Sequence, residues 1–264
     1  MSFENFKLHG EAVFITGGAG LLGSEYVKAV QEINGFPVVL DIKAPADKNT
    51  VHVPCDITKE KDIVKALKTI KSEYKRPVYG LINNAAIDPK FDRSAPGQQS
   101  ARLEAYARDA WDTEIAVGLT GAFLCTKIFG PEMARLGKGS IVNISSVLGC
   151  VAPDQALYRK EGVADQEQPV KPVTYSVIKH GIIGLTKYTA TYWASKGVRC
   201  NALAPGGVYT THPDEFVQKL KHYIPLGRMA KRSEYNCAVQ FLLTDASSFM
   251  TGAVLNLDGG QTTW

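Results

Sequence analysis

The segment Thr16-Gly17-Gly18-Ala19-Gly20-Leu21-Leu22-Gly23 constrains the fold of this chain more than any other. It joins an apolar run at 12–16 to a stretch of helical period at 21–34. A short buried strand that enters a helix through glycines is the first half of a βαβ unit. Such units carry right-handed crossovers and build a mostly parallel sheet covered on both faces. The glycines allow a tight turn and a close approach of the backbone to a ligand. The helix start behind them offers free N–H groups and a partial positive charge, which suits a pyrophosphate. A plain strand-to-helix turn is the alternative reading of the same residues.

The alternation continues along the chain. Residues 37–41 read as a second strand. Residues 59–74 read as an amphipathic helix with Ile63, Leu67 and Ile70 on one face and lysines opposite. A third strand at 78–82 runs into Asn83-Asn84-Ala85-Ala86, and 88–99 is polar and loop-like. A long helix is expected over about 109–135, a strand at 141–144, a helix over 173–196 and a strand at 198–203. A Gly/Pro/Thr-rich loop at 205–213 leads to a helical patch at 214–223, a helix at 232–243 and a last strand at 253–257. No linker or internal repeat divides the chain. The expectation is one α/β domain over 1–264, a doubly wound sheet with helices on both faces. A chain of 264 residues buries a core of that size without staples.

Composition narrows the function classes. The net charge of +4 is spread out, with no block of like charges, so neither nucleic acid nor a membrane surface is expected as a partner. Residues 1–10 lack the apolar core of a signal peptide, and no apolar run approaches a membrane span. The five cysteines are scattered and odd in number, which reads as buried free thiols in a reducing cytoplasm. No histidine has paired ligand spacing, so no metal is expected.

Two acids follow the glycine turn. Asp41 ends the second strand, where a carboxylate can accept from both adenosine ribose hydroxyls and repel a 2′-phosphate. That favours NAD over NADP, with Lys43 working the other way. Asp56, in Cys55-Asp56-Ile57, fits either a helix N-cap ahead of Lys59 or a cap on the adenine.

Tyr175-Ser176-Val177-Ile178-Lys179 is the sharpest local feature. Residues four apart share a helix face. An ammonium held near a phenol favours the phenolate, which gives a group able to donate and accept a proton near neutral pH. The pair alone is also common on helix surfaces. Upstream, Ile144-Ser145-Ser146 brings hydroxyls to the carboxyl end of a strand, where open α/β sheets bind ligands. Ser146 is the one expected to polarise a carbonyl; a turn cap is the plainer role for either serine.

Together these residues resemble the classical short-chain dehydrogenase/reductase family over nearly the whole chain. The matching elements are Thr16–Gly23, Asn83-Asn84-Ala85-Ala86, Ser146, Tyr175-x-x-x-Lys179, Pro205-Gly206 and Asp258-Gly259-Gly260. The resemblance implies a single Rossmann-like domain of about seven strands, assembled as a dimer or tetramer in the cytoplasm. It implies Ser146, Tyr175 and Lys179 as the catalytic set, with Lys179 also gripping the nicotinamide ribose. It implies an NAD site along Gly17, Gly20, Leu21, Leu22, Gly23, Asp41, Ile42, Asp56, Ile57, Asn84, Ala85 and Ala86. Pro205, Gly206 and Val208 would line the nicotinamide, with Thr210 near its amide.

Three departures from the family pattern stand out. The glycine spacing is G-x-x-G-x-x-G, with Leu21 where the family usually has its middle glycine. Gly118 occupies the position of a fourth catalytic residue, an asparagine that holds a relay water; backbone carbonyls would have to hold it here, or proton relay is slower. An insertion at 150–172 lengthens the span between Ser146 and Tyr175 and is expected to overhang the substrate side of the cleft. It reads either as a surface excursion or subunit contact, or as a substrate wall in which Tyr158, Arg159 and Lys160 meet an anionic group. The insertion, which also carries Asp154 and Lys171, is with Pro169-Val170-Lys171-Pro172-Val173-Thr174-Tyr175 and Gly118 similar to oxidoreductases of bacterial surface-sugar pathways, including flagellin glycan, nonulosonic acid and lipopolysaccharide. The implied activity is hydride exchange between NAD(H) and a secondary alcohol or ketone of a sugar-type small molecule. A ketoacyl-type reductase and a non-catalytic dinucleotide sensor are the rivals. His212 and Lys219 in the segment 205–223 are further candidates for substrate contact, His180 reads as packing, and Trp264 as a subunit contact.

Overall fold

The computed structural model describes residues 3–87 and 100–264; the loop expected at 88–99 lies outside them. Seven parallel strands form one sheet: β1 (Ala12–Thr16), β2 (Phe36–Asp41), β3 (Val51–Pro54), β4 (Val78–Asn83), β5 (Gly139–Ile144), β6 (Val198–Pro205) and β7 (Val254–Leu257). Their order is β3-β2-β1-β4-β5-β6-β7, every neighbouring pair parallel. The central strands β1, β4 and β5 are buried throughout and mostly apolar, because both faces are covered. Alternate residues of β1 divide between two cores. Phe14, with Val38, Leu40, Leu81 and Ile141, packs under α2 (Glu60–Thr69) and α4 (Gly121–Leu136), through Ile63, Ala66, Cys125, Phe129 and Met133. Val13 and Ile15, with Val39, Ile82 and Val142, pack under α1 (Gly23–Glu32) and α7 (Asn236–Leu243), through Tyr26, Val30, Val239 and Leu242.

The helices differ from expectation in detail. The first begins at Gly23 rather than 21, because the turn occupies the residues before it. The long helix is one run from Arg108 to Leu136: α3 (Arg108–Ile115), a π-turn (Ala116–Thr120) and α4. By length and composition that run could cross a membrane, but half of its apolar window is buried inside the fold, where α4 lies on β4 and β5. The stretch 59–74 ends in a second π-turn, and 232–243 opens with a 3-10 turn (Arg232–Tyr235). β3 was not expected as a strand. It lies at the sheet edge and buries only Val53, so its pattern is weak. Cys55, Cys125 and Cys200 are buried thiols as expected, whereas Cys150 is half-buried and Cys237 exposed.

The chain leaves β1 toward β2 on one side and returns to β4 on the other. That reversal makes the carboxyl ends of β1 and β4 the switch point where open α/β sheets bind ligands.

Candidate active site

At the switch point the two strands are tied together. Thr16 Oγ1 accepts from the Asn84 N–H (2.9 Å) and the Ala85 N–H (3.0 Å). Asn84 Nδ2 donates to the carbonyls of Thr16 (3.0 Å) and Gly17 (3.1 Å). Gly17 is left-handed, with φ of 63°, a region that favours glycine. A Cβ on Gly23 would lie 2.1 Å from the Gly17 carbonyl, so the start of α1 packs onto the turn as closely as backbone allows. Leu22 takes the cap position of α1 without a side-chain hydrogen bond, and Leu21 is exposed. No side chain closes this helix start, which leaves it suited to an anion.

Asp41 reaches back to the turn. Its Oδ2 accepts from the Ala19 N–H (3.1 Å) and its Oδ1 from the Lys43 N–H (3.0 Å). Each carboxylate oxygen has a second lone pair for a ribose hydroxyl. Ile42 beside it is 73% exposed, a large apolar side chain at the mouth of the crevice. Asp56 is less available. It accepts from the N–H (3.0 Å) and hydroxyl (2.7 Å) of Thr58 and pairs with Lys59 at 2.9 Å. Those contacts hold its carboxyl below the usual range, Thr58 first and Lys59 second. The helix cap position falls on Lys59, not Asp56. Ile57 is buried over Gly121, and Ala86 is exposed. An open helix start, an acid with free lone pairs and an uncovered isoleucine together fit the pyrophosphate, ribose and adenine of a dinucleotide.

The chemical end lies at the carboxyl ends of β5 and β6. Helix α5 (Val173–Trp193) carries Tyr175 in its first turn, and the Tyr175 N–H donates to Pro172 O at 3.2 Å. Lys179 is buried. Its Nζ donates to Ile144 O at 2.8 Å and lies 5.7 Å from the Tyr175 ring centroid. A second ammonium, Lys171 Nζ, lies 3.8 Å from the same centroid. Ser146 Oγ accepts from the Leu148 N–H at 3.2 Å and caps a short turn (Val147–Gly149). Ser145 Oγ donates to Lys179 O at 2.8 Å, and a Cβ on Gly149 would lie 2.6 Å from that carbonyl. Ser145 thus docks α5 on the end of β5, and Ser146 is the serine whose hydroxyl proton has no such commitment among these bonds.

Gly118 is buried in the π-turn. A Cβ there would lie 2.8 Å from Cγ2 of Ile178, so the room a side chain would need belongs to α5. One turn earlier, Glu114 is buried. Tyr106 donates to its Oε1 (2.9 Å), and Thr174, next to Tyr175, donates to Oε2. Sequence reasoning did not find Glu114, whose partners Tyr106 and Thr174 come from other elements, and it read Lys171 only as one of the cations of the insertion.

The segment 205–223 and the insertion pack against each other. The Gly206 N–H donates to Leu257 O at 3.0 Å, and a Cβ on Gly206 would lie 2.8 Å from Asp258 Cα. Pro205-Gly206 and Asp258-Gly259-Gly260 are therefore one contact. Val208 bridges Ala230, and Thr210 bonds to His212. The insertion packs on α6 (Asp214–Lys221): Leu157 joins Val217, Leu220, Ile224 and Met229 in a small core, and Tyr158 and His212 each lie against the Phe216 ring. Tyr223 donates to Asp154, and Lys219 Nζ to Arg159 O at 2.7 Å. The Arg159 guanidinium pairs with Asp165 at 2.9 Å, and the Lys160 N–H donates to Gln168. His180 is exposed and bonds to Ser176 O, and Trp264 is exposed. Two cavities lie away from this crevice. One, of about 420 Å³, sits in the insertion between Arg102, Gln155 and Arg159. The other, of about 470 Å³, sits at the opposite end of the sheet near Gly139 and Arg199, where no group of this site reaches.

Known proteins resemble this chain in sequence and in fold. A family model described as enoyl-(acyl carrier protein) reductase matches residues 31–262. The chain is 28% identical over 275 residues to the NAD-dependent glycerol dehydrogenase of Listeria innocua, covering 98% of this chain and 96% of the relative. It is 29% identical over 282 residues to the galactitol 2-dehydrogenase of Rhizobium johnstonii, covering 100% of each. A crystal structure of a short chain dehydrogenase from Leptospira borgpetersenii with bound NAD+ superposes with a TM-score of 0.85 at 29% identity, covering 99% of this chain and 96% of that one. Fold, glycine turn and sequence kinship agree: this chain belongs to the short-chain dehydrogenase/reductase family, oxidoreductases of alcohol and ketone groups that work with a nicotinamide dinucleotide.

Proposed function

We propose that the protein interconverts a secondary alcohol and its ketone on a sugar or polyol, with NAD(H) as cofactor and Tyr175 as the proton-transfer group. The observation that carries this reading is Lys179: a buried ammonium at the carboxyl end of β5, 5.7 Å from the ring of a tyrosine one helical turn away. Burying an ammonium is costly unless it is partnered, and a position facing a phenol and a ligand crevice gives that cost a chemical purpose.

A bound nicotinamide would supply the acceptor or donor of the hydride exchanged with the carbinol carbon. The chain's own groups do the rest. Ser146 Oγ hydrogen-bonds the substrate oxygen. Tyr175 Oη takes the hydroxyl proton in oxidation and gives it back in reduction. Lys179 stabilises the phenolate and holds the nicotinamide ribose. The turn of Gly17, Gly20 and Gly23, with Leu21 and Leu22 at the start of α1, holds the pyrophosphate. Asp41 takes the adenosine ribose and sets NAD ahead of NADP. Ile42, Asp56 and Ile57 border the adenine. Asn84, Ala85 and Ala86 line the floor, and Pro205, Gly206, Val208 and Thr210 the nicotinamide. Tyr158, Arg159 and Lys160 contact the far end of the substrate.

The polyol relatives and the polar insertion support a sugar-type substrate, and a role in bacterial surface-sugar synthesis is the narrower form of that reading. An acyl-chain ketone reductase is the second reading, favoured by 30% identity over 269 residues to a 3-oxoacyl-(acyl-carrier-protein) reductase of Thermotoga maritima; Asp41 weighs against it, since it disfavours a 2′-phosphate. Exposed Phe123 on α4 and Tyr188 and Tyr192 on α5 support a homodimer or tetramer, and the buried free thiols Cys55, Cys125 and Cys200 support a reducing compartment such as the cytoplasm. The test is Tyr175→Phe, assayed with NAD on glycerol, galactitol, sugar phosphates and a ketoacyl substrate. Turnover should fall about 10²–10⁴-fold while NADH affinity, followed by fluorescence, stays as in the wild type. Wild-type turnover in that variant refutes the proton role.

A further inference from the structure

We infer that Lys171, delivered by the insertion, is a positioning residue for Tyr175: its ammonium covers the ring and biases the phenol toward phenolate. The inference rests on the proton-transfer reading of Tyr175 and deepens it.

Lys171 Nζ lies 3.8 Å from the Tyr175 ring centroid, nearer than Lys179 Nζ at 5.7 Å. A cation over an aromatic face within about 6 Å is attracted by the ring, so the contact restrains the ring as well as charging its surroundings. The backbone around it is held in place. The Lys171 N–H donates to Gln155 Oε1 at 2.9 Å, and Gln155 opens the short helical turn (Gln155–Tyr158) that packs on α6. Next comes Pro172, buried, with φ of −56°, at the cap of α5. Proline fixes the angle at which the chain enters the helix. Lys171 and Tyr175 are four residues apart across that fixed corner, so the insertion and the first turn of α5 form one unit.

Among the described residues, the elements around Tyr175 carry charges of both signs. Lys179 approaches along α5, and Lys171 from the insertion. The α5 N-terminus adds a partial positive charge, because Tyr175 sits in its first turn. Against these stands Glu114 from α3, whose carboxylate is engaged by Tyr106 and Thr174. From the end of β5 comes neutral Ser146, and from the segment 205–223 His212, bonded to Thr210. Lys171 is half-buried, so solvent screens it less than a surface charge. The insertion therefore does more than wall the substrate: it brings a second ammonium to the proton-transfer group.

The test reads the ionisation of Tyr175 directly and needs no substrate. Ultraviolet titration of the protein, minus that of the Tyr175→Phe form, isolates the Tyr175 phenolate signal. The same difference is taken in Lys171→Met and Lys171→Arg backgrounds. Lys171→Met should raise the midpoint by about one pH unit, whereas Lys171→Arg should leave it near the wild-type position. The acid limb of kcat for alcohol oxidation should move with it, at unchanged affinity for NADH. Lys171→Gln carries the same test if the methionine form does not fold. An unshifted midpoint in the neutral variants overturns the inference, as does an arginine form that behaves like the methionine form. Full turnover in Tyr175→Phe is a separate result, which removes the proton-transfer reading itself.

Discussion

Gly118→Ala is a one-atom test of why this helix carries a glycine. The added Cβ would lie 2.8 Å from Cγ2 and 3.0 Å from Cδ1 of Ile178. Cγ2 hangs on the branch point, and in a helix the χ1 of isoleucine is held almost entirely in one rotamer. The methyl therefore cannot swing aside without moving α5. Overpacking of this kind costs about 1–3 kcal/mol. Alanine is better than glycine in a helix by about 0.5–1 kcal/mol. Overpacking wins, leaving a net loss of up to about 2.5 kcal/mol. At about 2–4 °C per kcal/mol for a chain near this size, that lowers Tm by several degrees. In an Ile178→Ala background the clash is gone, and the same change should stabilise by about 0.5–1 kcal/mol. The four-protein cycle, read by thermal and urea unfolding, should give a coupling of about 1–3 kcal/mol. Ile178 stands between Tyr175 and Lys179 on α5, so turnover should also fall in the single Gly118→Ala protein. If alanine stabilises in both backgrounds, the glycine is not making room for Ile178, and the reason for the missing asparagine lies elsewhere.

Other measurements address the cofactor, the outer wall and pH. Asp41→Ala should weaken NADH by about 1.5–3 kcal/mol and narrow its lead over NADPH in fluorescence titrations; equal affinities in the wild type contradict the role given to Asp41. Leu157→Ala should loosen the small core under α6, raising KM for the alcohol and speeding hydrogen exchange across 214–221 while NADH affinity holds. Unchanged exchange there shows that the insertion does not hold α6. Glu234 accepts from Arg228, and that pairing, followed by the Lys231 N–H, holds its carboxyl at about 2. A lowered carboxyl stabilises fully above the unfolded value near 4.3 and loses that contribution as pH falls toward its folded value. The stability gap between wild type and Glu234→Gln should thus be constant above about pH 5.5 and close below about pH 4.5. A gap that widens in acid is the contrary result.

The sheet was largely legible because central parallel strands are apolar on both sides: β1, β2, β4 and β5 announce themselves as short unbroken runs. β3 was not, since an edge strand that buries only Val53 offers no pattern. Asp41 was legible from its place at a strand end, and it does lie against the glycine turn. Asp56 fitted two roles equally; the cap falls three residues on, at Lys59, and the Asp56 carboxylate is engaged by Thr58 and Lys59. The identity of Gly118 was visible, but its cause was not, because Ile178 is sixty residues away in sequence and meets it only through packing of α5. Arg159 and Lys160 were recognised as cations of an insertion. That the Arg159 guanidinium meets Asp165, and that the insertion's apolar side grips α6, depends on how the loop folds back. Lys171 was visible as a cation within Pro169-Val170-Lys171-Pro172-Val173-Thr174-Tyr175, but its place over the ring depends on the turn at Pro172.

The bonds between Thr16 and Asn84 carry a thermodynamic consequence. They stitch the two halves of the sheet together at the seam between β1 and β4, using groups of the chain alone. The floor of the crevice is preorganised, so an arriving dinucleotide loses little affinity to ordering it. Any ordering on binding should then fall outside this seam, and the segment after Pro205, with the insertion clasped to it, is where a calorimetric entropy would be expected to change on loosening that clasp.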